Sequence, residues 1–264
     1  MNISSPDFNP EEFLNQSPNS THIEGIYNYC DRWCERCTMS KHCVNYENNI
    51  QAVGDDDLKN EKFWNDLSQM WENTIKLIYY VAEEKGIDLK ETSDDLIGSK
   101  RKNNMDVMKH PLVLKSLKYC RDVDKMIDED SWLKEKSHEL KKKIDLGWDN
   151  NLIISEAKIL KDCLDVIHWY SPQIMVKLSR ALGADSEHEI WCKENGFPRD
   201  SDGSAKVALI GIDRSIATWG KLMEIFSEKS DQILDLLVIL EQLRKSIEYI
   251  FPYARSFKRP GFDK

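Results

Sequence analysis

The sequence predicts an all-α fold: an antiparallel helical bundle behind an N-terminal cysteine-rich lobe. Three observations carry that expectation. Apolar residues recur at three- and four-residue steps over several long segments. Only eleven glycines and eight prolines punctuate 264 residues, few for the many turns of an all-β sandwich. Four of the seven cysteines are crowded into residues 30–43, ahead of the periodic segments.

The elements follow in chain order. Residues 1–22, rich in Ser, Asn and Pro, read as a flexible N-terminal arm, and residues 23–54 hold the cysteine lobe. Residues 55–252 read as the bundle and 253–264 as a basic, aromatic tail. Asn60 is placed to cap a helix that runs to about Glu84, with Gly86 as its stop. Its stripe comprises Phe63, Trp64, Leu67, Met70, Trp71, Ile75, Ile78, Val81 and Ala82. Residues 87–110 are polar, with a basic knot at 100–102. Pro111 suits the first position of the next helix, whose apolar face is Leu112, Val113, Leu117, Cys120, Val123 and Ile127. Ser131 is a cap for a strongly charged helix ending at Gly147.

A long helix is expected over 152–182, with Gly183 behind it and Pro172 inside it. Pro172 cannot donate to the His168 carbonyl, so a kink is expected there. Residues 184–203 read as a connection, in which Asp200 to Gly203 form a turn and helix cap. Ser204 then opens a helix through Phe226, and Ser230 caps the last one, which Pro252 ends. The short links between the final helices imply antiparallel packing, with the 60–86 helix as the fourth member.

The formal net charge of −9 and a pI near 5.3 exclude nucleic acid as a general partner, because phosphate binding needs a basic surface. The local exception is Arg255, Lys258, Arg259 and Lys264, interleaved with Tyr253, Phe257 and Phe262. That pattern reads as a tail whose aromatics pack back on the body. The N-terminal residues have neither a basic start nor an apolar core of a secretory signal. No stretch approaches the roughly 18 apolar residues of a membrane span. No membrane association and a cytoplasmic location are therefore expected, and there cysteines act as thiols or metal ligands.

The segment GIYNYCDRWCERCTMSKHC sets Cys30, Cys34, Cys37 and Cys43 in a C-x3-C-x2-C-x5-C array. Thiolates at this density are ligands for zinc or for an iron–sulfur cluster. Arg32, Arg36, Lys41 and His42 offset thiolate charge in this reading, and Tyr27, Tyr29, Trp33 and Tyr46 shield the site from water. Cys30, Cys34 and Cys37 share the spacing of the cluster loop of radical S-adenosylmethionine enzymes. That likeness covers eight residues and implies a β/α barrel of which this sequence has no sign, so it does not extend to family membership. Four-cysteine arrays in one segment also resemble the structural zinc lobe of alcohol dehydrogenases and the cluster loops of bacterial ferredoxins.

Two arguments favour iron–sulfur. On a helix these three cysteines share one face with neighbouring Cβ atoms about 5–6 Å apart, whereas four sulfurs about 2.3 Å from one zinc stand only about 3.8 Å from each other. Zinc knuckles also use glycine for tight turns, and none lies between Cys30 and Cys43. The expectation is an iron–sulfur centre in electron transfer or redox sensing, served by a redox partner protein. The alternative is a structural zinc lobe on a bundle that is itself an enzyme or an interaction scaffold.

Three residues are weak catalytic candidates: Asp165, His168 and Asp213. Asp165 and His168 have the i, i+3 spacing of a di-iron ligand pair, repeated by Glu135 and His138, with Glu72, Asp213 and Glu241 as possible bridging carboxylates. His168, Trp169 and Tyr170 also form a group beside Pro172. Asp213 and Arg214 interrupt an apolar run and suggest an internal ion pair or a pocket lining. Cys120 and Cys163 read as buried, inert thiols.

Overall fold

Helices and turns account for all the regular structure, and no strand occurs among the described residues. The computed structural model describes residues 7–15, 21–47, 61–89, 106–128, 131–184, 186–196 and 198–263. The chain forms two compact units. One is drawn from residues within 1–28, 32–100 and 260–264, the other from 29–31 and 101–259.

In the first unit, α1 spans Pro10–Asn15. Asn9 Oδ1 accepts from Glu11 N at 3.0 Å and from Glu12 N at 3.4 Å, satisfying amides that a helix start leaves open. A capped helix thus stands within the segment expected to be a flexible arm. Helix α2 spans Glu61–Glu84 and ends where expected: Gly86 takes φ +63°, and Ile87 N bonds back to Ala82 O at 2.8 Å. The expected cap, Asn60, and the basic knot at 100–102 lie outside the described residues. Asn73 and Ala82 are buried on α2, whereas Trp71, Ile78 and Tyr79 are exposed.

Six helices of nine or more residues are described in the second unit. Helix α3 is Pro111–Asp128, α4 is Trp132–Asp145, and α5 is Asn150–Leu182. Helix α6 is Ser186–Glu194, α7 is Asp200–Ile225, and α8 is Ser230–Ile250. Helix α5 packs along α7, α7 packs on α8, and α3 touches both α5 and α8, which closes a ring of four. The fourth place, expected for residues 60–86, is held by α3; α2 belongs to the other unit.

Several helix ends differ from the sequence reading for local reasons. Asp149, not a residue near 152, caps α5, accepting from Asn151 N at 2.8 Å. Ser131 stands at the start of α4, but its hydroxyl donates to the Glu135 carboxylate rather than capping a backbone amide. Ser230 is the first residue of α8, its hydroxyl spent on Ser227 O at 2.7 Å in the 3₁₀ turn Ser227–Lys229. The segment 184–203, expected as a connection, contains α6 and the first turn of α7. Glu189 on α6 explains that early start: its carboxylate accepts from Ser201 N at 3.0 Å and from the Ser201 hydroxyl. Pro172 sits inside α5 without ending it.

The core of this unit lies inside the ring. Tyr119, Ile167, Ile174, Leu178, Leu209, Ile212, Trp219, Leu222, Ile233 and Leu240 are all essentially inaccessible to solvent. At Gly211 a Cβ would stand 3.1 Å from Tyr170 Cδ1 and 3.2 Å from Ile174 Cγ1, so α5 and α7 approach closely there. Trp132 packs edge-on to Phe226 at 4.3 Å, and its indole N–H donates to Met126 O at 2.8 Å.

One core group titrates in an accessible range. Burial pushes the Tyr119 phenol up from 10.0 to about 12. Its folded value lies above its unfolded one, so the stability gained by keeping it protonated is complete below pH 10 and is lost as pH rises through about 12. Alkaline unfolding is expected to set in across that window, followed by circular dichroism; a stability that stays flat there would contradict the buried position of the phenol.

Candidate metal centre

The cysteine segment is built from extended backbone and tight turns. Cys30 precedes Arg32, which has φ +56° and is the sole non-glycine residue with positive φ among the described residues. That conformation costs a side-chain-bearing residue roughly 1–2 kcal/mol. Cys34–Arg36 is one 3₁₀ turn, closed by Cys37 N to Cys34 O at 3.2 Å. Ser40–His42 is a second, closed by Cys43 N to Ser40 O at 3.2 Å. Cys37 and Cys43 follow these turns in extended conformation. The shared helix face expected for Cys30, Cys34 and Cys37 is therefore absent.

Polar contacts tie this segment down in its own unit. Ile23 N donates to His42 O at 3.0 Å, His42 Nδ1 donates to Thr21 O at 2.8 Å, and His22 Nε2 meets Glu47 Oε2 at 2.7 Å. The Met39 amide donates to Cys37 Sγ at 3.4 Å. The Arg36 guanidinium lies 4.1 Å over the Trp33 ring, so Trp33 stacks with a cation. All seven cysteines are thiols, and the four of the array are half-buried. Among the described residues, no three His, Cys, Asp or Glu side chains are gathered tightly enough to ligate one ion.

Residues 29–31 belong to the helical unit, and the two neighbours of Cys30 are its anchors there. The Tyr29 hydroxyl donates to Asp200 Oδ1 at 3.0 Å. Asp200 also accepts from Arg180 at 2.7 and 3.1 Å. The Tyr29 ring packs edge-on to Phe257 at 4.7 Å. Burial, and then the Asp200 charge, push its phenol up to about 12. On the other side, the Asp31 carboxylate accepts from the Tyr170 hydroxyl at 2.5 Å and from Arg214 Nη1 at 2.8 Å. The Asp31 carbonyl accepts from Trp169 Nε1 at 2.9 Å and from the Gln173 amide. Burial, with the hydrogen bond and charge of Asp31 behind it, pushes the Tyr170 phenol upward.

The weak catalytic candidates are dispersed. His168 faces solvent on α5, and Asp165 pairs with Lys161 at 2.7 Å. Asp213 is bound by Arg255 at 2.5 and 3.2 Å, with Arg244 at 3.9 Å. Glu241 is held by Arg244 at 2.6 Å, Glu72 is exposed, and His138 Nδ1 donates to Lys134 O at 2.9 Å. Asp165, Asp213, Glu241 and His138 thus each have a partner in their own unit. Cys163 is buried as expected, whereas Cys120 is only half-buried; burial pushes both thiols upward. Within the C-terminal segment, Phe257 is buried as expected of a tail whose aromatics pack back, and Lys206 donates to Phe257 O at 2.5 Å, whereas Tyr253 is exposed.

Sequence reasoning missed Asp31 and, for Tyr29, the contacts with Asp200 and Phe257. The signals available were Tyr170 beside Pro172 and Arg214 in the interruption of an apolar run. No family model, curated protein or solved structure matches the chain. Among the described residues, no helix is long and apolar enough to cross a membrane.

Proposed function

We propose that Cys30, Cys34, Cys37 and Cys43 hold one metal centre, and that an antiparallel helical bundle carries this cysteine-rich lobe. The observation behind this reading is the all-thiolate array within fourteen residues. The N–H to sulfur bond at Cys37 and the tight turns at Cys34 and Ser40 support it. Such turns let successive thiolates converge on one point, which a continuous helix does not.

The local geometry favours zinc as the occupant. Both arguments for iron–sulfur rested on premises that the backbone does not meet. The cysteines do not share a helix face, and Arg32 takes the positive φ otherwise left to glycine. A four-thiolate zinc site is closed and structural, and its binding energy stabilises the folded lobe. The second reading is an iron–sulfur centre used in electron transfer or redox sensing with a partner protein. It is favoured by the Met39 amide on Cys37 and the basic residues nearby, because hydrogen bonds and charge around sulfur tune the potential of a cluster.

Substitution tests the assignment. Serine at Cys34 or Cys37 is expected to abolish stoichiometric metal in the purified chain, read by elemental analysis. Serine at Cys120 or Cys163 is expected to leave metal content unchanged. Full metal content in both the Cys34→Ser and Cys37→Ser variants would overturn the proposal.

A further inference from the structure

We infer that α2 carries a self-association face and pairs, antiparallel, with α2 of a second copy of this chain. The inference is independent of the metal reading. Helix α2 is turned the opposite way from a helix whose apolar stripe serves a core. Leu67, Trp71, Ile75, Ile78 and Tyr79 recur along one side of it, exposed at 39%, 68%, 39%, 49% and 63%. Asn73, on the opposite side, is fully buried and accepts from Gln69 at 3.2 Å and from Lys76 at 3.3 Å. Ala82 lies in line with the stripe and is buried, so the open stretch ends at Tyr79.

The extent of the face suits a second face of the same size. Its five side chains leave on the order of 500 Å² of apolar surface in water, near the upper end of what a monomer exposes. Two such faces together bury about 1,000 Å², the threshold of a specific interface.

The charges beside the stripe select a second copy and its direction. Glu72 and Lys76 are both exposed and stand one turn apart on the same flank. In an antiparallel pair related by a two-fold axis, like flanks meet and the residue numbers run in opposite directions. An axis at Thr74 sets Glu72 of each copy opposite Lys76 of the other, which gives two ion pairs. Lys76 spends one of its three donors on Asn73 and keeps two. The same register places Trp71 between Ile75 and Ile78 of the second copy, a knob entering a hole. In a parallel pair the charged flank would meet the other flank, where Met70 and Thr74 stand, and neither charge would find its opposite.

Sedimentation of the full chain over about 1–100 μM tests this, under reducing conditions so that disulfides cannot imitate a dimer. The parent is expected to be dimeric at the upper end and to dissociate on dilution. Trp71→Glu is expected to weaken the dimer at least about 100-fold, with an unchanged circular dichroism spectrum. Glu72→Lys puts like charges across the axis and is expected to weaken it about tenfold. Adding Lys76→Glu to Glu72→Lys rebuilds both pairs in reverse, and the dimer is expected to return to within about threefold of the parent. A parent that stays monomeric throughout, or a dimer that Trp71→Glu leaves intact, would overturn the inference. So would a double variant no tighter than Glu72→Lys, because the swap rescues only an antiparallel pair of identical faces. Should Trp71→Glu fail to fold, the charge variants alone decide.

Discussion

Replacing Trp219 with alanine is expected to cost about 3–5 kcal/mol of unfolding free energy. Trp219 is completely buried on α7, and its indole N–H donates to the Tyr119 hydroxyl on α3 at 2.9 Å. Alanine would remove one of the two tryptophans of the core and leave a cavity that the surrounding helices fill only in part. It would also take the indole donor from a buried phenol, a loss of order 1–3 kcal/mol in itself. Domains of this size are stable by only about 5–15 kcal/mol, so the variant should be close to unfolded at physiological temperature. Denaturant unfolding followed by circular dichroism measures it. A loss below about 1 kcal/mol would contradict the placement of Trp219 at the centre of the ring.

Gly203→Ala is expected to destabilise, which reverses the usual sign. In an exposed helix interior the same change gains about 1 kcal/mol. At Gly203 a Cβ would lie 2.5 Å from Tyr29 Cδ1 and 2.7 Å from Phe257 Cζ. Those rings cannot retreat easily, since Tyr29 is tied to Asp200 and Phe257 is buried against the same helix. Overpacking of this kind costs about 1–3 kcal/mol, equivalent to a fall in melting temperature of roughly 2–4 °C per kcal/mol for a chain near this length. A double-mutant cycle with Tyr29→Ala supplies the check: removal of the ring should restore most of the loss. If Gly203→Ala is stabilising in the parent, the close seat of Tyr29 on α7 is wrong.

What the sequence made legible was governed by how local each signal is. The amphipathic stripes of α3, α5, α7 and α8 lie in consecutive residues, and their helices were found. The stop at Gly86 was legible because a positive φ is a property of that residue itself. The early start of α7 was not, because the group that caps Ser201 is Glu189, on another helix. Helix α2 was placed in the ring on the strength of its apolar stripe. A stripe states that a face is apolar but not what it meets, and Trp71 and Ile78 are exposed. The candidate site divides in the same way. Cysteine spacing is a sequence property and was read directly. The anchoring of Cys30 through Asp31, Tyr170 and Arg214 depends on residues 139 and 183 positions apart, and no local pattern encodes it. Asp165 and His168 had the spacing of a ligand pair, but helix rotation turns His168 to solvent.

The most direct test is to measure zinc, iron and acid-labile sulfide in the full-length chain, purified without oxygen from cells supplied with both metals, and to record its visible spectrum. The account predicts one metal centre per chain, colourless with one zinc in the reading put first, or coloured with iron and sulfide in the second. A folded chain that carries neither metal and takes up none on titration would contradict the claim that the four cysteines form a metal site.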